Sequence, residues 1–159
     1  MSPHITVESH NSILKIGLNR PDKKNALTRE MYAELAAVLD RLRDDPSLRV
    51  LLIHGTSDCF TSGNDLKDFL NAPETDDSSP VVKFLHGIAA APKPIVAAVA
   101  GPAIGIGTTL LLHCDLIYAA ENSRFQLPFI NLGLCPEAAA SDLLPRLVGY
   151  HRAAELLLL

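Results

Sequence analysis

The sequence has little cysteine, no concentration of positive charge and no long apolar run, and each shortage removes a class of function. Its three cysteines, Cys59, Cys114 and Cys135, are odd in number and show no CxxC or metal-type spacing. They fit a reducing compartment, with the cytoplasm as the default, better than a disulfide framework. The formal charge is -4, and no stripe of Lys and Arg is present. Nucleic-acid binding, which wants clustered cations for the phosphates, is therefore not expected. No apolar stretch is long enough to span a bilayer, and "MSPHITVESH" lacks the basic start and apolar core of a signal peptide, so membrane insertion is not expected either. Internal repeats, low-complexity tracts, HExxH and other metal constellations are missing, so no metal is expected.

What is there is a chain of 159 residues, 48% hydrophobic, long enough to bury a core as a single domain over residues 1–159. "ITVES" and "ILKIGLN" alternate and are β-branched, with a tight turn between them, which predicts a hairpin. Thr28 is placed to cap a helix whose apolar face is Met31, Leu35, Val38, Leu39 and Leu42, with Leu27 and Tyr32 as a hydrophobic staple. "RVLLIHG" and "IVAAVAG" read as strands covered on both faces. A small helix is expected near residues 65–70, and "NAPETDDSS" reads as a mobile acidic surface loop. Ser79 and Pro80 start a further helix carrying Val81, Leu85 and Ile88 at helical spacing. "TTLLLHC" reads as a helix, "DLIYAAE" as a strand and "RFQLP" as a short extended piece. "PEAAASDLLPRLVG" predicts a helix beginning at Pro136 and bent or broken near Pro145, and "HRAAELLLL" begins another helical pattern that stops without a C-cap. Strands alternating with helices at these lengths imply an α/β fold with a mainly parallel sheet, whose function sits in the turns after the strands.

Two such turns stand out. "GPAIGIGTTL" sets Gly101, Gly105 and Gly107 between an apolar strand and an apolar helix. A helix start offers unpaired N–H groups and the positive end of the dipole, and Gly105 and Gly107 let the backbone bend and a ligand approach. Leu110 stands where a dinucleotide fingerprint needs its third glycine, and the G-K-[ST] of a phosphate loop is missing. An oxyanion hole and a simple packing turn both remain open. The second turn, "FTSGNDL", also follows a strand and carries Gly63 before Asn64 and Asp65; on its own it reads as a turn with Asp65 as a helix cap.

The blocks "NRPDKKNALT", "FTSGNDLKDF", "KPIVAAVAGPAIGIGTTLLLHCDLIYAAENSRFQLPFINLGLCPEAAA" and "LVGYHRAAELLL" run in one order over nearly the whole chain. Together they resemble the enoyl-CoA hydratase/isomerase, or crotonase, superfamily. The resemblance implies a crotonase-like (ClpP/crotonase) α/β fold of repeated ββα units on near-perpendicular sheets, with a further C-terminal helical part absent from this sequence. It implies homotrimers or hexamers and an acyl-CoA thioester substrate, coenzyme A entering with the substrate and no separate cofactor. It places the thioester oxygen between the backbone N–H groups of Asn64 and Ile106. It sets Ser62, Gly63, Asn64, Asp65, Leu66, Gly105 and Phe129 against the substrate, and Lys24 and Ala26 along the pantetheine and adenine, although exposed lysines beside a helix start are often only solvated.

Hydratases of this family use two glutamates, and the corresponding positions here are Thr109 and Phe129. Glu137 in "LGLCPEAAAS" is the carboxylate left, an arrangement similar to the peroxisomal-type 3,2-enoyl-CoA isomerases, which rely on one base. Glu137 would then move a proton from the α- to the γ-carbon of a 3-enoyl-CoA. A hydratase or other enolate reaction, and a catalytically silent acyl-CoA-binding or assembly subunit, are the alternatives. Without chemistry, Glu137 reads as a first-turn carboxylate on a helix dipole. Cys135 reads as a small buried apolar residue, His113 as a satisfied core histidine and His54 as structural.

Overall fold

The computed structural model describes residues 3–71 and 77–159. The expected loop "NAPETDDSS" lies largely outside the described residues; within it, Asp77 and Ser78 form an exposed turn ahead of the buried Ser79.

Two strands open the chain, β1 (Ile5–His10) and β2 (Ile13–Leu18), paired antiparallel with Ile5 opposite Leu18 and His10 opposite Ile13. Asn11 and Ser12 both take positive φ, 49° and 64°, the geometry of the tight turn that matches strand twist. Helix α1 (Arg29–Asp44) starts where Thr28 Oγ1 accepts from the Met31 amide, and the five apolar residues expected on one face are all buried, with Tyr32 beside them. Strands β3 (Val50–His54), β4 (Ile95–Val99) and β6 (Leu116–Ala119) extend the sheet in parallel, in the order β1-β2-β3-β4-β6. The parallel pairs arise because α1 and α3 (Pro80–Ala89) carry the crossovers and pack their apolar faces on one side of the sheet. Ser79 caps α3 by accepting from the Val82 amide.

β3 and β4 are not covered on both faces. Leu51, Ile53, Ile95, Ala97 and Val99 are buried against the helices, while Leu52, Val96 and Ala98 on the other face are half-buried. The edge strand β6 is exposed along its whole length, with Leu116 at 54% and Tyr118 at 66%. A second sheet pairs β5 (Pro102–Ile104) with β7 (Arg124–Gln126) in parallel.

The helix expected over "TTLLLHC" begins earlier, as α4 (Ile106–Thr109), and continues as a 3-10 turn over Leu110–His113. Gly105 causes the early start: its φ of 57° and ψ of -118° suit a residue without Cβ and turn the chain directly into the helix. The helix predicted from Pro136 begins only at α5 (Ala140–Val148). Ala138 and Ala139 are left-handed, φ 52° and 53°, and cannot belong to a right-handed helix. Pro145 lies inside α5 without ending it, and the break comes at Gly149, before α6 (Tyr150–Leu158). The small helix expected near residues 65–70 is α2 (Leu66–Asn71).

Candidate active site

The two turns singled out in the sequence are stitched together. Thr61 and Ala103 form a parallel bridge, in which the Thr61 amide donates to the Pro102 carbonyl and the Ile104 amide to the Thr61 carbonyl, both at 3.0 Å. Asn64 lies three residues beyond Thr61 and Ile106 three beyond Ala103, so both turns leave the bridge in step. Asn64 has a second bridge, to Leu27, made by its neighbours: Leu27 donates to the Gly63 carbonyl and Asp65 to the Leu27 carbonyl, both at 2.8 Å. Backbone groups alternate along an extended segment, so Asn64's own N–H faces away from Leu27. The Gly105 amide is used by the Gln126 carbonyl at 2.9 Å, while Thr108 and Thr109 both donate back to Gly105. Among the described residues the amides of Asn64 and Ile106 donate to no partner. Gly63, at φ 95°, lets the first turn pass under Ile104, whose carbonyl oxygen a side chain there would meet at 2.9 Å.

Buried polar contacts hold the first turn from behind. Asn25, fully buried, donates through Nδ2 to the carbonyls of Cys59 at 2.9 Å and Phe60 at 3.2 Å, and its carbonyl accepts from Thr61 Oγ1 at 2.7 Å. The Tyr32 hydroxyl donates to Asn64 Oδ1, so the Asn64 side chain is tied to α1 while its backbone is left free.

These turns form one wall of a cavity of about 620 Å³. Ser62, Gly63, Asn64, Leu66, Gly105, Ile106, Phe129 and Glu137 all line it. Lys24, Ala26 and Asp65 do not. Lys24 is exposed, and its carbonyl accepts from the Ser62 amide at 2.9 Å, which sets it beside the cavity's rim. Asp65 turns away to Arg20, 2.7 Å from Nη1, and also caps α2 by accepting from the Lys67 and Asp68 amides. The guanidinium holds its carboxyl below the usual carboxylate range. The apolar surroundings of Glu137 include Leu132 and Leu134, as its sequence neighbours suggest, but the sequence reading missed the rest of the apolar side: Phe69 on α2 and Val81, Val82 and Leu85 on α3. Val81 and Leu85 were legible as an apolar helix face, but the periodicity alone does not say whether such a face meets the core or a cavity.

Glu137 is the one charged side chain lining the cavity among the described residues. It does not belong to the first turn of a helix, since α5 starts three residues later, so a helix dipole does not account for it. Burial raises its proton affinity above the ordinary carboxylic-acid range, and a hydrogen bond from Thr109 partly opposes this. That bond runs from Thr109 Oγ1 to Glu137 Oε1 at 2.8 Å, and Thr109 is fully buried. His113 Nε2 bonds the Ala138 carbonyl at 2.9 Å. Cys135 is exposed on the cavity lining and is not the buried residue expected from its apolar surroundings. Cys59 is buried; Cys114 is half-buried and its thiol is pushed up to about 12 by burial. His54 bonds the Gly55 carbonyl through Nδ1 at 2.7 Å, outside this cavity. Among the described residues no three His, Cys, Asp or Glu side chains are grouped to hold a metal ion, and no helix is long and apolar enough to cross a membrane.

The sequence profile described as enoyl-CoA hydratase/isomerase matches residues 8–159. The chain belongs to the enoyl-CoA hydratase/isomerase family. Enoyl-CoA delta isomerase 2 of Rattus norvegicus is 39% identical to this family member over 163 residues, which take in 99% of this chain and 41% of that protein. Enoyl-CoA delta isomerase 3, peroxisomal, of Mus musculus is also 39% identical, over 99% of this chain and 51% of that protein. The solved structure of Pseudomonas aeruginosa OdaA is 52% identical, with a TM-score of 0.94 over 98% of this chain and 63% of that one. The chain thus spans about half the length of the curated relatives it matches, and the crotonase-like α/β fold is shared across the spanned part.

Proposed function

We propose that this family member isomerises 3-enoyl-CoA to 2-enoyl-CoA with Glu137 as the single proton shuttle. The observation that carries the reading is one carboxylate, Glu137, in a mainly apolar cavity that Asn64 and Ile106, with their two free amides, also line. With the thioester oxygen between those amides, the Glu137 carboxylate removes a proton from C2. The C2–H electrons flow into the thioester, giving a dienolate whose oxygen the amides stabilise. One such donor is worth roughly 3–4 kcal/mol in a dry site. The Glu137 carboxylic acid then returns the proton to C4, and the double bond moves from C3–C4 to C2–C3. Atoms and electrons balance with no cofactor beyond the coenzyme A of the substrate.

Hydration is the weaker reading because it needs a group to hold and activate water besides the acid at the α-carbon. The positions expected to supply that second acid are Thr109 and Phe129, and Thr109 is already bonded to Glu137. The names of the rat and mouse relatives also favour isomerisation. Lys24, beside Ser62 at the rim, is assigned to the nucleotide end of coenzyme A with Ala26. We place the reaction in β-oxidation of fatty acyl-CoA in the cytoplasm, although one relative's name says peroxisomal. We assign a homotrimer or hexamer, supported by the exposed apolar side chains of β6. The test is to give the chain 3-enoyl-CoA and, separately, 2-enoyl-CoA. Absorbance of the conjugated thioester should appear with the first and persist with the second. Loss of absorbance from the second without its appearance from the first means a hydratase, and acyl-CoA binding with neither change means a silent binder.

A further inference from the structure

Glu137 is gripped from one side by a single short helical segment. Thr109 and His113 both lie within residues 106–113, and both reach the same loop: Thr109 Oγ1 to Glu137 Oε1 at 2.8 Å, His113 Nε2 to the carbonyl of Ala138 at 2.9 Å. That loop needs holding. Ala138 and Ala139 are consecutive left-handed residues with a Cβ, a conformation that persists only where surrounding contacts impose it. The Ala140 amide closes the loop on the Glu137 carbonyl at 3.0 Å, and His113 supplies the contact from outside.

We propose that Thr109 and His113 are positioning residues that clamp Glu137 at two points, His113 fixing the backbone behind it and Thr109 keeping its carboxylate in the proton-accepting form. This rests on the reading of Glu137 as the shuttle. A hydroxyl that donates to a carboxylate stabilises the ionised group. The other titratable groups facing Glu137 are few. His113 and Cys135 are the nearest by position, on the 3-10 turn and on its own loop. On α5 the charges are Asp142 and Arg146, which are exposed and pair with each other at 2.7 Å. From α2 and α3 only uncharged side chains reach the cavity. Thr109 is therefore the polar group with the most direct hold on Glu137's proton.

The test reads the proton itself. The chain is labelled with carbon-13 at the glutamate side-chain carboxyls, the Glu137 line is assigned by its loss in Glu137→Gln, and its shift is followed against pH. In Thr109→Val the acid dissociation constant should fall about tenfold. Thr109→Ser, which keeps the donor, should titrate like the wild type. His113→Phe should move the titration in the same direction, and His113→Gln, which can still donate to the Ala138 carbonyl, should restore it. An unchanged titration in folded Thr109→Val overturns the clamp; should that variant not fold, an unchanged titration in His113→Phe does so. The carbon line is read without turnover, so a chain that fails to isomerise 3-enoyl-CoA sinks the catalytic reading while the clamp is still decided by the titration.

Discussion

The Thr109 hydroxyl donates to Glu137 Oε1 across 2.8 Å, joining the carboxylate that lines the cavity to a buried threonine that cannot itself act as an acid or base. A threonine hydroxyl is too weak a base to activate water, so that position offers no general base. The chain is therefore expected to hydrate 2-enoyl-CoA at least about a hundredfold more slowly than it isomerises 3-enoyl-CoA, the scale of losing one general acid–base group. Parallel assays on the two substrates check this; comparable rates would contradict it.

Burial of Glu137 has a stability consequence with a definite sign. Its proton affinity is raised in the folded chain, so the folded state binds the proton more tightly than the unfolded state. Stability therefore falls as pH rises from the unfolded pKa through the folded one, and the cost remains above that window. Glu137→Gln removes the titration. The melting temperature of the variant minus that of the wild type should increase between about pH 4 and pH 7. A difference that stays flat or shrinks over this range contradicts the burial argument.

Gly105 carries the turn into α4 at φ 57° and ψ -118°. Gly105→Ala places a Cβ in a conformation that costs roughly 1–3 kcal/mol, and relief of that strain would displace the Ile106 amide. Denaturant unfolding should show the destabilisation, and turnover should fall by more than acyl-CoA binding does. A variant with unchanged stability and turnover would remove Gly105 from the account.

Asn25 stands behind the other amide. Asn25→Ala takes the Nδ2 donor from the Phe60 carbonyl and from the Cys59 carbonyl, which keeps its bonds from Thr56, and takes the acceptor from the Arg20 amide, bonded to Asn25 Oδ1 at 2.7 Å. A loss of roughly 2–4 kcal/mol is expected, measurable by chemical denaturation. A loss below about 0.5 kcal/mol, typical of surface changes, would show that Asn25 does not hold the turn.

What the sequence made legible was local. The hairpin, the Thr28 and Ser79 caps and the face of α1 follow from residues close in the chain, and the structure has each of them. Helix starts set by distant contacts were not legible. "PEAAA" has the proline and the alanines of a helix opening, yet Ala138 and Ala139 are left-handed and Ala138 is bonded to His113, so α5 waits until Ala140. At the site, the two glycine turns left an oxyanion hole and a packing turn both open, and the family resemblance assigned the amides of Asn64 and Ile106. The direction of a side chain was not legible: Asp65 adjoins Asn64 in sequence but turns to Arg20, and the bond from Thr109 to Glu137 spans 28 positions that no periodicity connects.

The central claim is that Glu137 alone moves the proton, and comparing Glu137→Gln with the wild type in turnover and in binding tests it most directly. Conversion of 3-enoyl-CoA should fall by about a hundredfold to ten-thousandfold, while acyl-CoA binding, measured by calorimetry, stays within about twofold because the amides and the apolar wall are untouched. Turnover that survives the substitution with binding intact would contradict the claim.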